Sequence, residues 1–185
     1  MEKQARHFET GRPSADEYDP YFDTYLNAVE GDNPVEILSL QIGRVTEAFA
    51  PFAGAAGNLP YSEGKWSAKQ VLSHLIDGER VFMYRMLRIS RGDSTPLAGF
   101  DQDLFVAASN ANERQMAKML TEFAFLRKAN LLMLADFTEK HWLARGTAND
   151  KNTSVRAIAF VMAGHVNHHL KIIEDRYRPL LNGEF

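Results

Sequence analysis

The 185-residue chain contains no cysteine. That excludes disulfides, thiolate metal sites and a thiol nucleophile of the protein's own, so any sulfur chemistry has to arrive with a substrate or cofactor. No run of lysine and arginine occurs, and a net charge of -3 with a pI near 6.1 leaves no electrostatic footprint for nucleic acid. Apolar stretches are broken by charges every few residues, and none has the length of a membrane span. The opening segment, MEKQARHFETGRPSADEYDP, is polar and lacks the apolar centre of a secretion signal, so the expected location is cytoplasmic. Ser-His-Asp order, a phosphate-cradling glycine loop and an HExxH helix are all missing; in the last case Val166 stands where the glutamate would be.

What is present reads as helix. A composition 45% hydrophobic and 24% charged suits one globular domain over residues 1–185, with 1–17 a flexible or loosely packed tail. A first strong helix starts at Asn33-Pro34, with Glu36 completing a pattern like a capping box, and runs to about Pro51–Gly54 with Leu38, Ile42, Val45 and Phe49 on one face. A second starts at the capping box Ser67-Ala68-Lys69-Gln70, stapled by Trp66 and Val71. It carries Leu72, Leu75, Phe82, Met86 and Ile89 to about Ser90. Arg91-Gly92-Asp93 stops it, and Ser94 to Asp103 reads as a long connection.

A third helix spans about Asn110 to Phe137, with Arg127 and Asn130 on the seam of Met116, Leu120, Phe123, Leu134 and Phe137. A fourth runs from Thr153 or Ser154 to about Tyr177, its seam being Ile158, Met162, His165, His169, Ile172 and Arg176. Ahead of these, Tyr18, Tyr21, Phe22, Tyr25, Leu26 and Val29 suggest a short additional N-terminal helix. No segment alternates at strand period, so the fold class is all-α, most simply a four-helix bundle.

His165 and His169 are four apart on the fourth helix, which turns both imidazoles to one face. His74 occupies a similar apolar face of the second helix. Three imidazoles from two helices would make an open site for a divalent metal; the plain alternative is a set of hydrogen-bonded core histidines. His168 is rotated about 100° from His169 and about 60° from His165, which places it beside the ligands or at a subunit interface. His7 and His141 lie in a polar tail and a loop. Asp77 and Glu79, near His74, are candidates to orient a ligand or act as general base, against the plainer reading that they pair with Arg80, Arg85 or Arg127. Arg127 could hold an anionic substrate or bridge to Glu79. Gly78 and Gly164 beside the histidines each cost helix stability, by about 1 kcal/mol relative to alanine, and so call for a packing or functional reason.

The stretches EGKWSAKQVLSHLIDGERVFMYRMLRISRGDSTPLAGFD, FAFLRKANLLML and SVRAIAFVMAGHVNHHLKIIEDRY together resemble the DinB-like superfamily, also called DinB/YfiT-like metalloenzymes, from about Tyr18 to Tyr177. The resemblance implies a four-helix bundle holding a divalent metal, often nickel or zinc, through one histidine of the second helix and two of the fourth. By motif position these are His74, His165 and His169. It also implies either a metal-dependent hydrolase or an S-transferase using a low-molecular-weight thiol such as mycothiol or bacillithiol, and a homodimer acting on a small-molecule substrate. Val166 departs from the acidic residue often found there. The alternative to an enzyme is a stress-response module in which the metal only ties two helices together.

Overall fold

The computed structural model describes residues 9–181. Four long helices form the body: α2 (Pro34–Phe49), α3 (Ala68–Ser90), α5 (Met116–Ala135) and α7 (Val155–Ile172). Shorter helices accompany them: α1 (Asp23–Asn27), α4 (Gln102–Ala108), α6 (Glu139–Trp142) and α8 (Arg178–Leu181). The starts expected from the sequence are present. Asn33 accepts from the Val35 and Glu36 amides, and Ser67 and Gln70 exchange both bonds of a capping box. Ser154 caps α7 by accepting from the Ala157 amide.

The bundle is not a simple up-and-down array. α2 packs against α5 and α7, and α3 packs against the same two, so the sequence neighbours α2 and α3 stand diagonally. This crossover sets α3 beside α7 and so brings His74 next to His165. α1 lies across α7, where Gly164 allows the closest approach: a Cβ there would stand 2.0 Å from the Tyr25 carbonyl oxygen. Close helix packing is therefore the reason for that glycine.

Apolar side chains fill the interior in two clusters, one around Leu38, Met86, Phe160 and Met162, the other around Val45, Leu72, Phe123 and Val166. Between them runs a polar layer to which all four long helices contribute. Arg127 of α5, 0% exposed, donates from Nε and Nη2 to the two carboxylate oxygens of Glu79 on α3, both at 2.8 Å. Its Nη1 donates to Leu38 O and Gln41 Oε1 on α2. Gln41 in turn donates to Ala163 O and Asn167 Oδ1 on α7, and Asn130 donates to Glu79.

Several sequence expectations need correction. All-α is approximate, because Arg145–Ala148 (β1) and Lys151–Ser154 (β2) form an antiparallel hairpin. Asn149 and Asp150 both take positive φ at its tip, the geometry of a two-residue type I′ turn. The long connection after α3 pairs Leu97 with this hairpin and then holds α4, capped by Asp101. The third helix begins at Met116 rather than Asn110, whose φ of 52° breaks the helical path. The fourth is α-helical only to Ile172; a π turn over Ile173–Tyr177 then shifts the register, which exposes Arg176 and buries Tyr177. The short N-terminal helix is present as two 3₁₀ turns followed by α1.

Residues 1–8 of the expected tail, with His7, lie outside the described residues, but Thr10 to Glu17 are docked on the bundle. Buried Glu17 accepts from Ser154 Oγ and pairs with Arg156, which also donates to Thr10 O. Among the described residues, no helix is long and apolar enough to cross a membrane.

Removing one partner of a buried ion pair strands the other. Arg127→Met is expected to lower unfolding free energy by about 3–5 kcal/mol in urea titration, and Arg127→Met/Glu79→Leu by clearly less. Equal losses in the single and double variants would show that the pair is not the mid-bundle lock.

Candidate metal centre

α3 contributes His74 and α7 contributes His165 and His169, one ligand atom of each lying within 4.8 Å of the others. His74 Nε2 and His165 Nε2 are 2.7 Å apart, across 91 positions of sequence. Their rings are held from several sides. Trp66 packs against His74 with centroids 5.0 Å apart, and Tyr177 Oη donates to the Trp66 carbonyl behind it. Tyr25 and Phe82 each stand edge-on to His165 at 5.6 Å. Gly78 leaves the remaining space, since a Cβ there would come 3.2 Å from His165 Cε1.

Burial decides the protonation of these rings. Loss of solvent pushes His74 down to about 4, only partly opposed by Asp103. His165 falls well below the ordinary 6.5, through burial first and then the neighbouring His169 and His74. His169 is pushed to about 3 by burial, with His74 and His168 adding to it. All three are thus neutral near pH 7, the form that offers a nitrogen lone pair to a metal. His169 Nδ1 is buried without a hydrogen-bond partner among the described residues. Converging neutral imidazoles and an orphaned nitrogen fit a divalent ion of the kind that imidazole binds.

The other candidates stand apart from this cluster. Glu79 and Arg127 are locked to each other in the polar layer, and neither lines the cavity described below. Asp77, partly exposed, lies 3.9 Å from Arg80, which also pairs with Glu122; burial raises its carboxyl above the usual range. His168 is half-buried, its ring 5.2 Å from His169 and 5.6 Å from Tyr25, so it sits beside the cluster. His141 caps α6 through its contact with Thr138.

A cavity of about 240 Å³ opens over His74 and His165. Tyr25, Phe82, Arg85 and Phe100 form part of its wall, and the hairpin covers it through Asn149, Lys151, Asn152 and Thr153. These residues were not singled out from the sequence as a site. Steps of four, four and three from His74 through Gly78 and Phe82 to Arg85 were the available signal, because they put all four on one stripe of α3.

Comparison with known proteins agrees with this geometry. The sequence profile of the DinB superfamily matches residues 37–173, which include all three histidines. The chain belongs to the DinB superfamily. Its fold is similar to that of YfiT from Bacillus subtilis, described as a probable metal-dependent hydrolase with an unusual four-helix bundle topology. The TM-score is 0.74 at 15% identity, covering 94% of this chain and 98% of that one. No curated protein matches the chain.

The depressed histidines predict a pH dependence for the metal-free protein. Below 6.5 the unfolded chain binds more protons than the folded one, so stability falls as pH drops from 6.5 toward about 4 for His74 and about 3 for His169. Between pH 7 and 5 the loss is on the order of 1–2 kcal/mol per buried histidine, read from urea midpoints. The slope is expected to flatten in His74→Gln/His169→Gln; a wild-type midpoint that is flat over this range would contradict the buried neutral imidazoles.

Proposed function

We propose that the protein is a metal-dependent hydrolase whose divalent ion, zinc or nickel, is held by His74, His165 and His169. One observation carries this reading: the neutral imidazoles converge at the edge of a cavity that two of them line, so the cluster is open toward a small molecule. A structural site would be closed by protein ligands on all sides. An ion bound there supplies Lewis acidity and an activated water near neutral pH.

The chain's own residues do the rest. Tyr25, Phe82 and Trp66 fix the ring planes of the ligands. The aromatic walls and the hairpin limit water around the reacting bond. No carboxylate lines the cavity among the described residues, and Glu79, a candidate base from the sequence, is held by Arg127. Hydrolysis in this site therefore proceeds without a carboxylate base from the cavity wall. The likeness to YfiT supports a hydrolase in fold terms; thiol-dependent S-transfer would use the same ligands and is separated by assay.

Elemental analysis of the purified protein is expected to find about one divalent ion per chain, and next to none in His165→Ala/His169→Ala. A panel of small esters and amides should be turned over by the wild type, lose turnover on chelation and regain it on adding zinc or nickel, irrespective of added low-molecular-weight thiol. Turnover that requires the thiol would replace hydrolase by S-transferase. Bound metal with no turnover and a large loss of melting temperature on chelation would favour the structural role.

A further inference from the structure

Among the buried arginines of the described residues, Arg85 is the one for which the fold provides least. It is 8% exposed, yet among the described residues its side chain donates only from Nη2 to the Ala98 carbonyl, at 2.9 Å. No carboxylate of the described residues lies within ion-pair distance. The other well-buried arginines differ: Arg127 is paired with Glu79 and Arg156 with Glu17. Lys151, the other cation on the cavity wall, is paired with Asp19 at 2.9 Å. A guanidinium carries five N–H donors, and burying one without an anion is costly.

Its position gives that cost a use. Arg85 lies about three helical turns beyond His74 on the same stripe of α3, roughly 16 Å along the axis. Helical side chains lean toward the helix N-terminus, which here is toward His74. Phe82, Ile158 and Val161 supply apolar wall in the same cavity. Cation, apolar wall and histidine centre are thus arranged in one small space with no acidic residue among the described residues on its surface.

We propose that Arg85 binds the carboxylate of the substrate, and that the hydrolase acts on compact carboxylic acids whose apolar body spans the cavity and whose scissile ester or amide reaches the three histidines. This substrate class rests on the hydrolase reading of the same centre. A single guanidinium balances one negative charge and matches a carboxylate with two parallel hydrogen bonds; a phosphate dianion would call for a second unpaired cation. Arg85 also borders a shallow outer groove beside Tyr84 and Arg88, and the test separates that face from the cavity.

The test measures binding, so that it does not depend on turnover. Calorimetry on metal-free protein would compare 3-phenylpropanoate with its neutral amide, 3-phenylpropanamide. The acid is expected to bind at least about tenfold more tightly, as a charge-assisted hydrogen bond implies. Arg85→Gln should erase the difference and Arg85→Lys should restore part of it. Tyr25→Trp, which crowds the cavity and leaves the outer groove untouched, should weaken both ligands. His165→Ala/His169→Ala should keep the preference; a wild type with the preference but no hydrolysis would sink the hydrolase reading alone, and hydrolysis without the preference would sink this one alone. Arg85→Met should melt no lower than wild type, whereas an arginine retained for structure would cost stability when removed. Equal binding or no binding of the two ligands, a preference surviving in Arg85→Gln, acid binding indifferent to Tyr25→Trp, or tighter binding of inorganic phosphate than of the acid would each overturn the proposal.

Discussion

The contact on which the rest of the structure depends is the buried pair of Arg127 and Glu79. Two charges removed from water are tolerable only if their polar atoms are met, and here both carboxylate oxygens and all three guanidinium nitrogens find partners on α2, α3 and α5. An apolar core could slide by a turn and still bury its surface. A bidentate guanidinium that must also reach Leu38 O and Gln41 cannot. Through Gln41 the same network reaches Ala163 O, directly beside Gly164 and His165 on α7. The axial position of α3 against α7 is thereby fixed close to the point where His74 must meet His165.

The three-histidine cluster inherits its precision from that register and from the crossover topology. Histidines 91 positions apart come within hydrogen-bond distance because α3 and α7 are neighbours although α4, α5, α6 and the hairpin intervene between them. Two glycines complete the fit in different ways. Gly164 lets the α1 backbone lie against α7, which delivers Tyr25 to the face of His165; Gly78 leaves room for the His165 ring itself. The helix-propensity cost of each is offset by a specific close approach.

Much of this was legible in the sequence, for identifiable reasons. Asn33, Ser67 and Ser154 act as caps because capping is local chemistry, written in adjacent residues. The histidines fall on inward seams, and the seam is a periodic signal over many turns. Arg127 and Asn130 were visible as polar residues on an apolar face, but periodicity does not say which partner a buried charge finds. The hairpin was missed because strands of four residues are too short to show alternation, leaving only the Asn149-Asp150 turn as a trace. The π turn was invisible for a different reason: no breaker marks it, and one inserted residue changes which face Arg176 and Tyr177 occupy without altering composition. The cavity wall was least legible of all, since it is assembled by tertiary contact of Leu97, the hairpin and α1.

Arg85 and Arg127 show how environment assigns different roles to one residue type. Both sit on the apolar side of a long helix and both are almost wholly buried. For Arg127 the compensating anion is part of the chain, and the product is a rigid layer that holds four helices. For Arg85 the described residues supply a single carbonyl and no carboxylate, and its guanidinium belongs to a residue on the wall of a cavity that none of their acidic side chains lines. A core arginine selected for stability would be better replaced by an apolar side chain, as substitution of buried ion pairs commonly shows. Retaining a charge whose desolvation is met so incompletely makes physical sense where an anion enters from outside. The three neutral histidines obey the same logic: burial keeps them uncharged, and what would satisfy their converging nitrogens is an ion the chain does not encode. Arg85 and two of the three histidines thus share the wall of one cavity.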